Sequence, residues 1–482
     1  MTIPARTHER EGTIARIAAR FTAWAEHWIP DAFVFALVAT LVVFVVGLVA
    51  AGAAPSALLE SWGKGFWDLL PFTMQMTLII VTGYVLASSR PVALAIARIA
   101  RIPRTARAAV VVVAVFSMLT SWINWGFSLI FGALLARETA RHRPEADYRA
   151  LAASSLLGLG SVWAQGLSGS AALQMATPGA LSPKTRDIVA AGNLVPGGII
   201  PLRQTIFTWQ SLASVAIEVA VVALAVFAST PTGTRARTAA QLGVQLDPIA
   251  PERAVLCDTT HTAPTPGQRL EQSRALSLAV FALGAVYVVQ VLARAEDRLA
   301  AINVNTINFV FLILGVLLHG TPARLMRAFR EGTPASWGVL LQFPFYAGIA
   351  GMITQTALSA KIAHVFVDVS TRLTFPALVA TYSAVLGVFV PSGGSKWIVE
   401  APYVMQSAHE LHVHLGWTVA VYDLGEALAN LVQPFWMLPT LAIMGLRARD
   451  VMGFTLLAFV VLAPVVLVMV TLFGATFRYP LG

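Results

Sequence analysis

The residues with the greatest chemical capacity in this chain stand in the middle of apolar stretches. Val390–Glu400 reads VPSGGSKWIVE and Asn430–Pro434 reads NLVQP; in the other half, Ser121–Ser128 reads SWINWGFS and Gln165–Ser170 reads QGLSGS. A helix that starts inside a bilayer leaves its first N–H groups unpaired, and these carry about half a positive charge that favours an anion. Ser392 or Ser395 would cap the returning arm of such a helix. Gly393 and Gly394 allow close backbone approach and positive φ, and Lys396 adds an ammonium group. Asn124, Ser128, Ser168 and Ser170 take the matching place in the first half, and Asn430 and Gln433 stand at the last break. The set suits reversible binding of a small monocarboxylate. The competing reading is that Gly and Ser serve only close helix packing. Interrupted segments at corresponding positions of two halves favour a midplane site instead.

Acids inside apolar stretches are functional candidates by default. Glu426 precedes Asn430 by one helical turn, Asp423 lies nearer the outer end, and Glu218 sits mid-span in SVAIEVAVV with no sequence-near partner. Each is a candidate carrier of a coupling proton, and carbonyl groups at the helix breaks could hold Na⁺ instead. Lys396 and Glu400 are four residues apart, so they either neutralise each other on one helix face or leave Lys396 to the substrate. No catalytic residue is expected. All nine histidines fall in loops or near the ends of apolar runs, and no G-x-S-x-G elbow is present. HELHVH (residues 409–414) resembles a metal cluster only superficially; solvated histidines account for it, and no metal or organic cofactor is expected beyond the coupling H⁺ or Na⁺.

These residues must be positioned by membrane helices. Of 482 residues, 57% are apolar and 12% charged, and the mean hydropathy is +0.72. A soluble domain carries far more charge on its surface. The net charge of +9 is no sign of nucleic acid, because the arginines sit in short loops between apolar runs, at 98–107, 137–149, 324–330 and 447–449, as the positive-inside rule requires. One cysteine, Cys257, excludes an internal disulfide. Residues 1–28 are polar, lack the features of a signal peptide, and carry arginines that favour the cytoplasm. Trp24, Trp28, Trp62 and Trp67 read as interfacial anchors.

The order of apolar runs implies an all-α polytopic membrane protein built from inverted repeats, each with a re-entrant hairpin and a broken transmembrane helix. The expected divisions are a cytoplasmic segment (1–28), a first repeat (29–229), a cytoplasmic linker (230–272), a connecting transmembrane helix (273–293) and a second repeat (294–482). In the first half, the stretch 108–136 has basic residues at both ends, which one span cannot satisfy. Two arms of about 12 residues each would be too short to cross and suit a hairpin with its tip near Asn124. The second half repeats the order from the opposite side, with its hairpin broken at Pro391–Ser395 and a later span broken near Asn430. The expected count is nine spans and two hairpins.

The stretch PSGGSKWIVEAPYVMQSAHEL, followed by YDLGEALANLVQPFWMLPTLAIMGLRARDVMGF, resembles the bacterial short-chain fatty acid transporter family, as do FSMLTSWINWGFSLIFGALLAR (116–137) and IPLRQTIFTWQ (200–210). The resemblance runs over most of the chain. It implies secondary active transport of butyrate, acetoacetate and similar monocarboxylates across the bacterial cytoplasmic membrane, coupled to an ion. Analogy with the wider superfamily implies an elevator mechanism and a homodimer. The chain departs from the family pattern at Lys396 and Glu400, where neutral Gln-like residues are usual, and at Glu426, where Asp is expected. The alternatives are a membrane-embedded enzyme such as an acyltransferase, or a passive anion channel.

Overall fold

A computed structural model describes residues 32–481 apart from 69, 178–182, 194, 247–264, 296–303, 359–360, 362–367 and 392, together with positions 20, 24 and 27. Trp28, Cys257 and Ser392 lie outside the described residues, and nothing is described of the Ser395 side chain.

The first half begins with α1 (Ala32–Val49), α2 (Pro55–Asp68) and α3 (Leu70–Ser88). At Ser89 the chain turns by 83° into α4 (Arg90–Ala100). Pro91 at its start suits a helix N-terminus, and Ala93, Ile96 and Ala100 form its buried stripe. Of the basic cluster at 98–107, Arg98 lies on this helix, Arg101 and Arg104 fall in the turn after it, and Arg107 in the next helix. A hairpin follows, made of α5 (Ala106–Ile123) and α6 (Trp125–His142). Asn124 alone turns the chain: its backbone is extended, and its side chain caps α6 by accepting from Phe127 N at 3.0 Å. Ser117 Oγ and Ser128 Oγ lie 3.1 Å apart across the arms. The arms have 18 residues each, longer than the sequence implied and, at 1.5 Å per residue, about 27 Å long. The chain reverses at Asn124, between arms that are not short. α7 (Tyr148–Leu156), capped by Asp147, then unwinds over residues 157–169 and resumes as α8 (Ser170–Ala176). The half ends with α9 (Trp209–Ser229).

The second half is entered through α10 (Arg274–Arg294), which little of the protein covers. α11 (Val304–His319), the amphipathic α12 (Pro322–Gly332) and α13 (Trp337–Thr354) follow, with a 57° turn between the last two. The second hairpin comprises α14 (Phe375–Phe389) and α15 (Gly393–Glu410). α16 (Leu415–Ala429) breaks at Asn430, passes through a 3₁₀ turn at Phe435–Met437, resumes as α17 (Leu438–Met444), and leads to α18 (Ala448–Gly474).

The two halves share one order of elements and pack reciprocally. α2 lies on α13 as α12 lies on α3; α1 lies on α13 as α11 lies on α3. The second arm of each hairpin packs on the resumed helix of the other half, α6 on α17 and α15 on α8. Such exchange is the signature of inverted repeats. Among the described residues, α5, α9, α10 and α18 are individually long and apolar enough to cross a membrane, and six spans result if each bent pair is taken as one. Residues 230–246, read as the start of a loose linker, are tied to the base of the first hairpin: Tyr148 N donates to Arg237 O and an Arg137 N–H to Gln245 O, both at 2.9 Å.

Candidate functional site

Both hairpin tips converge on the break between α7 and α8. At the first tip, Trp125 N donates to Ser168 Oγ at 3.1 Å, and Leu167 N donates to Trp122 O at 2.7 Å. Gly166 makes this approach possible, since a Cβ there would sit 2.3 Å from Trp122 O. Trp163 Nε1 donates to Ser168 O at 3.0 Å and fixes the break from within. At the second tip, Gln174 Nε2 donates to Gly394 O at 2.9 Å. A Cβ at Gly393 would meet Trp163, Ser170 and Glu426 at 3.3–3.5 Å. Both glycines lie inside α15, so their use is close approach rather than left-handed backbone.

The second break is closed by its own amides. Asn430 Nδ2 donates to Leu159 O at 3.3 Å, joining the two broken helices. Gln433 Nε2 donates to Asn430 Oδ1, and its Oε1 accepts from Phe435 N at 2.7 Å. α8 receives its N-terminal cap from the other half: Asp423 Oδ2 on α16 accepts from Ala171 N at 2.9 Å.

Beneath the second tip lies a buried charged cluster shared by α14, α15 and α16. Lys396, 1% exposed, donates to the Glu426 carboxylate, to Ser383 O at 2.8 Å and to Ser383 Oγ at 3.1 Å. Its Nζ lies 5.1 Å from the centre of the Tyr422 ring. Glu400 accepts from Tyr382 and, at 2.6 Å, from Tyr422. Glu426 Oε1 and Asp423 Oδ1 are buried without a hydrogen-bond partner among the described residues. The i, i+4 pair of Lys396 with Glu400 does not form; Lys396 takes Glu426, and the two tyrosines take Glu400.

The structure therefore gathers Ser168, Ser170, Gly393 and Gly394 at one place, with Asn124 capping the neighbouring helix. Lys396, Asp423 and Glu426 form the layer next to it. Ser128 is elsewhere: its hydroxyl donates to Ser117 O at 2.7 Å, one turn into the hairpin, and pins the arms. Glu218 is fully buried in α9, which packs on α5 and α18, and both its carboxylate oxygens lack a hydrogen-bond partner among the described residues. Trp163, Gln174, Tyr382, Ser383 and Tyr422 were not singled out from sequence. Only Gln174 carried a usable signal there, four residues after Ser170 on the same helix face. The histidines serve local structure. His414 Nδ1 caps α16 by accepting from Trp417 N at 2.9 Å, and His409 Nδ1 lies 2.7 Å from Tyr479 OH.

A profile of the short chain fatty acid transporter family matches residues 13–473. The chain belongs to that family. A short-chain fatty acid transporter by name from Escherichia coli K12 is 37% identical over 463 residues, spanning 95% of this chain and 100% of the relative. Its counterpart by name in Haemophilus influenzae is 34% identical over 457 residues, spanning 94% and 99%. Among solved structures, the Alcanivorax borkumensis YdaH transporter is 16% identical with a TM-score of 0.45, covering 96% of this chain and 99% of that one. The family is one of transporters, not enzymes, and the membrane-enzyme alternative is set aside on that ground.

Proposed function

We propose that this protein is a secondary active transporter of short-chain fatty acids, taking butyrate, acetoacetate and similar monocarboxylates across the bacterial cytoplasmic membrane with H⁺ or Na⁺. The carrying observation is the convergence of both hairpin tips on the α7–α8 break beside a cluster with more carboxylates than cations. Among the described residues the cluster holds three carboxylates, Asp423, Glu426 and Glu400, and one ammonium, Lys396, which pairs with Glu426. A substrate carboxylate entering next to them adds like charge in a poorly solvated place, which is favourable only if a cation comes with it. Asp423 and Glu426, each with an unpartnered oxygen, are the proposed carriers of that cation, and Glu218 is a further candidate. The substrate's headgroup is assigned to the N-terminal turns of α6 and α15, near Asn124, Ser168, Ser170, Gly393 and Gly394; Ser392 and Ser395 belong to the same proposed set by sequence. Ser128, Lys396, Asn430 and Gln433 hold that geometry from behind.

The elevator reading is supported by how the helices sort. The hairpins, broken helices, α9 and α18 interlock as one group; α1–α3 and α11–α13 pack reciprocally as another. Between α14 and the second group lies an apolar cavity of about 110 Å³ lined by Val43, Val46, Ile353 and Val385 among others. A seam of apolar contacts can slide. The proposed assembly is a homodimer in the inner membrane with residues 1–28 cytoplasmic, as the arginine distribution favours.

Labelled butyrate uptake into proteoliposomes with imposed H⁺ or Na⁺ gradients tests the reading. Saturable uptake with counterflow is expected. Absence of gradient-driven uptake of any short acid would overturn it, and flux linear in substrate without counterflow would favour a channel.

A further inference from the structure

Lys396 places its ammonium in a buried cage of oxygens drawn from two neighbouring helices. Its ammonium nitrogen donates to three oxygens, a carboxylate of α16, a backbone carbonyl of α14 and the hydroxyl of the same residue, with the Tyr422 ring 5.1 Å away on another side. Carboxylate, carbonyl and hydroxyl are the ligand types that hard cations take. The cage is built to bring these oxygens together. A Cβ at Gly387 would lie 2.6 Å from Glu426 Oε2, so only glycine lets that carboxylate press against α14. The second Glu426 oxygen is buried and unpartnered, an acceptor in excess of what one ammonium satisfies.

We propose that Lys396 is a tethered cation. Its ammonium permanently fills a monovalent cation site formed by Ser383 O, Ser383 Oγ and Glu426, so that this site makes no demand for Na⁺. The consequence for coupling rests on the carboxylate-transport reading above: with the cage filled from within, the cation that enters with substrate is the proton. The cage itself does not depend on that reading. Removing the ammonium leaves Glu426 uncompensated beside an emptied volume, and a small external cation restores both charge and packing.

The test is thermal unfolding of detergent-purified wild-type protein and Lys396→Ala, purified and melted in NaCl, methylammonium chloride or choline chloride at equal ionic strength. Choline is too large for the vacated space. For Lys396→Ala, Na⁺ and methylammonium are expected to raise Tm over choline by on the order of 5 °C, while the wild type shows no difference. Lys396→Ala/Glu426→Gln is expected to lose the response. Three results would overturn the proposal: no cation dependence in Lys396→Ala, failure of that variant to yield folded protein in Na⁺ as well as choline, or a wild-type Na⁺ response abolished by Glu426→Gln. No transport step enters these melts, so they are read independently of the substrate. In proteoliposomes, butyrate uptake by wild type driven by a pH gradient is expected to be unchanged when choline replaces Na⁺, whereas uptake by Lys396→Ala requires Na⁺.

Discussion

The two hairpins do the same architectural task with different chemistry. The first turns on one neutral residue, Asn124, and is pinned by serine hydroxyls: Ser117 to Ser128 across its arms, and Ser168 to Trp125 at its tip. The second resumes as a helix at Gly393 and rests on charges: Lys396 with Glu426, and Glu400 with two tyrosines. Neutral hydrogen bonds contribute modest stability and are indifferent to ions, whereas a buried charge is costly the moment its partner changes. The first hairpin is therefore held by neutral bonds, and the second by a buried charge cluster.

Substitutions can break that contrast. The largest effect is expected at the tips themselves. Leucine at Gly393 and Gly394 collides with Trp163, Ser170, Glu426 and Gln174, and uptake should fall below detection in proteoliposomes. Gly126→Ala at the first tip meets its nearest neighbour, an Ile79 side-chain carbon, at 3.3 Å and should leave most uptake intact. Normal transport by the leucine pair would remove the second tip from the site.

Next comes the charge pair. Lys396→Met, melted in sodium-free choline chloride, should cost about 3–5 kcal/mol by stranding Glu426, and Glu426→Gln in the same chain should recover most of it. If the double variant is no more stable than the single one, the ammonium matters for packing rather than charge.

The returns from the two hairpins differ as well. α7 is capped by Asp147, α16 by the neutral ring of His414. Burial pushes the His414 pKa down to about 4, and protonating Nδ1 would destroy the acceptor that caps Trp417 N. The folded value lies below the unfolded value near 6.5, so this contribution is complete above that pH and is lost as pH falls towards 4, by up to roughly 3 kcal/mol. His414→Asn keeps a capping side chain and should flatten the loss of Tm over that window relative to wild type. Smallest is the neutral pin: Ser168→Ala leaves Trp125 N without its hydroxyl and should cost about 1–2 kcal/mol, with no dependence on added cation.

Sequence exposed the architecture better than the contacts. Charge at both ends of an apolar stretch located the first hairpin, and Gly/Ser/Pro interruptions located the breaks, because lipid forbids such residues unless protein covers them. Spacing failed where the question was which helix lies opposite. Four residues between Lys396 and Glu400 place them on one face of α15, yet both turn to α14 and α16. Ser128 sits four residues after Asn124, a spacing that suggests the tip, but one helical turn carries it into the seam between the arms. The amphipathic helix α12 reads as a loop because three arginines stand among its 11 residues, and its narrow buried stripe emerges only against neighbours.

The cap that Asp423 gives to α8 also has a price in time. The carboxylate and the Ala171 amide it serves are 252 residues apart. At about 5–20 residues per second, a ribosome needs roughly 10–50 seconds to deliver one after the other. For that interval the first half waits in the membrane with an open helix end and an unclosed break. Water, lipid headgroups or the insertion machinery must satisfy those amides until the second half arrives, and a chain cut at the linker would leave them waiting indefinitely.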